Sequence, residues 1–200
     1  MLNPIDKALQ QAVPTIMVPA HQELCPMQDY GHRYLIAADG IWVEVLRPWL
    51  HATWPVALQS SVAMPYGTLS RKVKFSFQKL PIDLISRFCA EARAASPVEH
   101  GTWITWNGQS GEFRYRGLDI THASEDELNY IRPVLDEDES LVLDLHSHGE
   151  GGAYFSPKDN RDDAGEVKIA GCIGLCDQSI QEQAYRLCLL GIFIPIPGPK

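Results

Sequence analysis

The run Leu141–Asp159, LVLDLHSHGEGGAYFSPKD, constrains this 200-residue chain more than any other stretch. It opens with Leu141, Val142, Leu143 and Leu145, an aliphatic run that predicts a buried strand. His146 and His148 stand at its end. Side chains two apart along a strand share a face, so both imidazoles point the same way. After seven intervening residues comes Ser156, and Asp159 is three further on. Two His and one Asp can hold zinc with the fourth position open, and there a catalytic zinc keeps a water. The competing reading is structural: hydrogen-bonding histidines at a strand end, then a helix start at Ser156-Pro157-Lys158-Asp159. Ser at the N-cap, Pro at N1 and an acid at N3 are good capping chemistry. That reading leaves the paired histidines unexplained.

Upstream, Pro81 to Ala95 predicts a helix. Pro81 suits the first turn, and Ile82, Ile85, Cys89 and Ala92 form an apolar face with Phe88 beside it. Ser96-Pro97 ends it. Thr102 to Trp106 is β-rich, Asn107-Gly108 marks a tight hairpin, and Phe113 to Arg116 returns. Glu99 stands between this helix and this strand. Taken alone it is weak evidence, and the competing reading is a solvated residue at a strand start. His100, as its neighbour, faces the opposite way.

His146-Ser147-His148 followed by Ser156 and Asp159 resembles the JAMM motif of JAB/MPN-domain metalloproteases. That family carries a catalytic Glu on the strand after its first helix, and Pro97-x-Glu99-x-Gly101 matches the position. The resemblance covers about residues 73–195. It implies an α/β fold with a mixed, curved, cytidine-deaminase-like sheet flanked by helices. It implies zinc on His146, His148 and Asp159, with Glu99 moving the proton of the attacking water and Ser156 steadying the oxyanion. The substrate it implies is a peptide or isopeptide bond next to a ubiquitin-like or sulfur-carrier protein. The family usually has Pro after His-x-His, whereas Gly149 stands here, which bears on the shape of the substrate groove. Asp144 is a candidate partner behind the ligands.

Three rival functions stand against this reading. A zinc nucleoside deaminase needs His-x-Glu with Pro-Cys-x2-Cys, which the chain lacks. A thermolysin-type protease needs His-Glu-x2-His on a helix, also lacking. The remaining alternative is a JAB-type scaffold that binds a protein partner without cleaving it. Such members commonly lack ligands or the Glu, whereas all five residues are present here.

The rest of the chain bounds the reading. A net charge of −8 argues against a nucleic-acid-binding face. No run approaches the roughly 18 apolar residues of a membrane span, and the start of the chain lacks a secretion-signal pattern. Five Cys, an odd count without Cys-x2-Cys, argue against disulfides and against a structural zinc. Cys172 and Cys176 read as small core residues, and the expected location is the reducing cytoplasm.

Residues 1–70 read as a β-rich N-terminal extension, and 71–200 as the hydrolase domain. A hairpin is predicted around Asp39-Gly40, Trp49 and Trp54 are predicted core, and Arg71 to Phe77 predicts a half-exposed strand. Ser124-x-x-Glu127 predicts a capped helix running to Arg132. Asp136 to Glu139 reads as a solvated turn, and Gly149-Glu150-Gly151-Gly152 as a flexible segment able to approach a substrate chain. Glu150 ranks well below Glu99 as a second carboxylate. Val167–Leu175 and Tyr185–Ile194 read as two strands, with an extended tail from Pro195.

Overall fold

Asn3, Pro4 and Asp6 start a helix that the sequence reading omitted. In a computed structural model, which describes residues 3–59 and 61–199, α1 (Pro4–Ala12) has the Asn3 side chain accepting from Ile5 N. Its signals were local: an Asn cap, Pro at N1 and an acid in the first turn. The strands β1 (Thr15–Met17), β2 (Gly31–Ala37), β3 (Gly40–Arg47), β4 (Leu50–Leu58) and β5 (Lys72–Phe75) form one sheet in that order. The Asp39-Gly40 hairpin joins β2 to β3 with Ala37 opposite Gly40. Leu35, Ala37, Val45, Trp49 and Ala52 are buried, whereas Trp54 is half-buried beneath the Arg71 guanidinium. Buried Arg33 and Glu44 face each other across β2 and β3 and pair at 2.7 Å.

The chain divides into two units, residues 1–76 and 77–200. The second contains α2 (Ile82–Ala95), β6 (Gly101–Asn107), β7 (Phe113–Gly117), β8 (Asp119–Ala123), β9 (Leu128–Ile131), β10 (Glu139–Ser147), α3 (Pro157–Asp163), β11 (Val167–Gly174), β12 (Glu182–Leu189) and β13 (Ile192–Ile196). Six strands make its main sheet, in the order β13-β12-β11-β10-β6-β7. Only β10 and β11 run parallel, because α3 carries the chain back between them. Helix α2 buries Ile85, Phe88 and Ala92. Removing Ile85 and Phe88 from water contributes about 1.5–3 kcal/mol each. Ile82, at the first helical position, stays exposed and does not extend the apolar face.

Three expectations fail here. Ser124 to Arg132 is not a helix. Ser124 N donates to Glu127 O, and Leu128–Ile131 then pairs antiparallel with Asp119–Ala123. Ser-x-x-Glu can close a turn as well as a helix, and too few residues remain before Pro133 for helix propagation. The segment Tyr185–Ile194 is not one strand either. It folds into β12 and β13 about the turn Leu190–Gly191, both residues at positive φ (52° and 93°), as a two-residue hairpin requires. The strand β13 also takes in Pro195 and Ile196, so the tail begins later than expected. Among the described residues there are three helices against thirteen strands, a mixed α/β protein made mostly of sheet.

Candidate metal centre

Strand β10 sits in the middle of the sheet, and Val142, Leu143 and Leu145 are fully buried. That packing fixes the strand's rotation. Asp144 and His146 therefore share one face, and His148 follows at the strand end. The two histidines present their Nε2 atoms to each other at 3.2 Å. On the far side of His148, Nδ1 lies 3.2 Å from the carbonyl oxygen of Gly152. A carbonyl only accepts, so this contact favours the tautomer protonated at Nδ1, whose Nε2 offers a bare lone pair. Burial lowers the pKa of His146 from its usual value, against the opposing charge of Asp159. The neutral, ligand-competent ring is thereby favoured.

Asp159 is delivered by α3. Ser156 caps this helix: its Oγ accepts from Asp159 N at 3.2 Å, and its own backbone N–H donates to Asp159 Oδ2 at 2.6 Å. This reciprocal box aims the carboxylate inward. The same Oδ2 lies 3.7 Å from His146 Nε2 and 4.0 Å from His148 Nε2. Tetrahedral zinc with ligands at about 2.0–2.1 Å sets their donor atoms about 3.3 Å apart. The observed triangle of 3.2, 3.7 and 4.0 Å is close to that span, and its three donors are borderline-to-hard atoms suited to zinc.

Glu99 lies two residues ahead of the neighbouring strand, β6, in the segment that joins it to α2. Gly101 is the antiparallel partner of His146. The pairing continues outward, with Ser147 N donating to His100 O and His100 N donating to Ser147 Oγ. Glu99, His146, His148, Ser156 and Asp159 all line one cavity of about 330 Å³. Burial, and then the charge of Asp159, push the Glu99 carboxyl up to about 7, against the pull of Lys158. A carboxylate poised near neutrality can take a proton and give it back. His100 points away: its ring stacks on Phe88 of α2 at 5.8 Å.

Gly149 has a structural reason. Its φ is 53°, and a Cβ there would lie 2.1 Å from the carbonyl oxygen of Pro97. The turn after the histidines presses on the segment that leads to Glu99. The following glycines are not a loose strip open to a substrate. Leu175 N and Cys176 N donate to Gly151 O and Gly149 O, and the loop backbone packs against Gly174. Glu150 is exposed at the cavity rim.

Two features were not read from the sequence. Cys172 is fully buried, as expected of a core residue, but it is also the parallel partner of His146. Its Sγ lies within 4.8 Å of both ring nitrogens, so these three residues also form a potential metal group. Burial pushes its thiol up to about 12. Nothing local in the sequence signals this, because strand pairing alone creates it. The second feature is Lys168, whose Nζ reaches Asp144 at 2.6 Å and Asp163 at 2.8 Å. Asp144 thus faces a lysine rather than an imidazole.

Among the described residues, no helix is long and apolar enough to cross a membrane. Comparison with known proteins adds the family. Residues 3–76 match a domain of unknown function (DUF2016), and residues 81–188 match the prokaryotic homologs of the JAB domain. No curated protein and no solved structure matches significantly. The second match covers more than half of the chain and contains both histidines, Ser156, Asp159 and Glu99; the chain belongs to the prokaryotic homologs of the JAB domain.

Proposed function

We propose that the protein is a zinc-dependent peptidase or isopeptidase of the JAMM type. It would hydrolyse a bond next to a ubiquitin-like or sulfur-carrier protein. The carrying observation is the meeting of a carboxyl poised near pH 7 with three donor atoms 3.2–4.0 Å apart in one cavity. His146, His148 and Asp159 would hold the ion. Zinc bound there supplies Lewis acidity and brings the pKa of a water from 15.7 toward about 7. Glu99 takes the proton of the attacking water and returns it to the leaving nitrogen. The Ser156 oxygen already accepts from Asp159 N, which leaves its hydroxyl proton for the carbonyl oxygen as charge builds there. A donor so placed is worth about 3 kcal/mol of barrier.

The fold reading that accompanies this proposal is a cytidine-deaminase-like JAB/MPN sheet. The N-terminal unit ahead of the motif agrees with a narrower likeness to protein A of the PRTRC plasmid-associated systems. All five cysteines are free, which suits the reducing cytoplasm proposed as its location.

The test is zinc content followed by hydrolysis of a ubiquitin-like fusion. The expected results are one zinc per chain, cleavage abolished by a chelator, and no zinc in His146→Ala. Zinc retained at full stoichiometry by His146→Ala would refute the ligand set. Zinc bound tightly with no cleavage of any ubiquitin-like or sulfur-carrier fusion would favour the partner-binding scaffold instead.

A further inference from the structure

Behind the proposed ligands lies a group of buried charges that the proposed chemistry does not use. Lys168 on β11 is 5% exposed, and its Nζ bridges Asp144 and Asp163. Asp163 is 5% exposed and also accepts from Arg186 at 2.6 Å. The Arg186 guanidinium lies between the rings of Phe155 and Phe193, at 3.9 and 4.0 Å, and donates to Asn160. Burial works against the Lys168 charge, but the two carboxylates outweigh it, and its pKa is raised.

The positions of these partners are informative. Asp144 lies two residues before His146 on the same strand face. Asp163 lies four residues, about one helical turn, after Asp159 on α3. Phe155 immediately precedes Ser156. One ammonium therefore ties the strand that carries a histidine to the helix that carries the carboxylate, and Arg186 adds bonds to Asn160 and Asp163 of that helix. Paired buried charges are not an economical source of stability, since well-packed apolar residues in their place are often neutral or better. What this network achieves is geometric: it sets the distance between two elements that must present donor atoms to one ion.

We infer that Lys168 is a positioning residue, which through Asp144 and Asp163 holds His146 and Asp159 at metal-binding separation. The inference rests on the metal reading given above. It concerns the protein's own side chains, so zinc affinity and the cobalt spectrum report on it without any substrate.

The experiment compares the wild type, Lys168→Met and Lys168→Arg in the full chain. Zinc affinity is measured by competition with a chromophoric chelator, and the visible spectrum is recorded with Co2+ in place of zinc. Thermal unfolding of the metal-free proteins is followed alongside. Lys168→Met is expected to lose about 10–100-fold in zinc affinity, the range for residues that orient ligands. It should also show an altered cobalt spectrum at temperatures where it remains folded. Lys168→Arg, which keeps the charge, should recover most of the affinity. If Lys168→Met does not fold, Asp144→Asn replaces it: this variant leaves Lys168 paired with Asp163 and should show the same direction of change. Wild-type affinity and an unchanged cobalt spectrum in a folded Lys168→Met or Asp144→Asn protein would overturn the positioning role while leaving the metal centre standing. A wild-type protein that binds neither zinc nor cobalt would end both readings.

Discussion

Ser156 and Asp159 cap each other: the hydroxyl of one accepts from the backbone of the other, and the carboxylate returns the bond at 2.6 Å. Helix start and proposed metal ligand are thus one device. A capping interaction and a ligand interaction can share Oδ2, because a carboxylate oxygen offers more than one lone-pair direction. The structural and the functional readings of this motif do not compete.

Substitution separates the two roles of Ser156. Glycine is nearly as good an N-cap as serine, whereas alanine costs about 1 kcal/mol. Ser156→Gly should unfold within a few tenths of a kcal/mol of the wild type yet lose about 10²–10³-fold in turnover of a ubiquitin-like fusion. Ser156→Ala should lose both. Chemical denaturation and single-substrate kinetics on the two variants provide the comparison, and undiminished turnover in Ser156→Gly would remove Ser156 from the chemistry.

Glu99→Gln should keep zinc at the wild-type level, since Glu99 is proposed as a proton carrier and not as a ligand. Hydrolysis should fall by about 10²–10⁴-fold, the usual range for a lost general base. Metal analysis and an activity assay on one preparation suffice. Loss of zinc together with activity would make Glu99 a ligand instead.

The raised pKa of Glu99 has a consequence for stability in the metal-free protein. Its folded value, about 7, exceeds the ordinary 4.5. The folded state therefore holds the proton more tightly, and the associated stability is full below about 4.5 and is lost as pH rises through about 7. Glu99 is partly exposed at the cavity, so solvent screening should hold the effect to no more than about 2 kcal/mol. Urea denaturation at several pH values should show the wild type weakening relative to Glu99→Gln across this window. A difference that stays constant with pH would contradict the assignment.

Cys172 distinguishes two ligand sets. If Asp159 is the third ligand, Cys172→Ser should change zinc affinity by less than about tenfold, and the cobalt-loaded wild type should show no thiolate-to-cobalt charge-transfer absorption in the near ultraviolet. Asp159→Asn should weaken zinc binding far more. Strong charge-transfer absorption that vanishes in Cys172→Ser would assign the site to His146, His148 and Cys172.

Gly149 occupies the place where the family usually has proline. A proline ring fixes φ near −65°, which is incompatible with the observed 53°. Gly149→Pro and Gly149→Ala should both destabilise, by about 2 kcal/mol or more, through left-handed strain and the approach to Pro97. Equilibrium denaturation checks this. A stabilised Gly149→Pro protein would mean that the turn readily adopts the family's usual path.

Much of the second unit was legible from local signals. The α2 helix follows from its apolar spacing and from Pro81, and β10 from its aliphatic run; Asn107-Gly108 marks a reversal, but residues 108–112 form a longer loop than the tight hairpin the dipeptide predicts. The proposed ligands and Ser156 could be picked out because they stand at short spacings: His148 two residues after His146, and Asp159 three after Ser156. The misreadings fell where a local signal suits two outcomes. The Ser124 cap closes a turn rather than opening a helix, and the long apolar stretch after Tyr185 reverses at Leu190–Gly191.

The sequence by itself determined which groups are available and how the nearest of them are spaced, because strand alternation and helix capping act over a few residues. Only the tertiary structure decided that Cys172 lies beside His146, that Glu99 lines one cavity with His146, His148 and Asp159, and that Lys168 bridges Asp144 to Asp163. These pairings depend on strand order and register, which are set by burying the whole sheet at once and leave no mark on any short stretch of the chain.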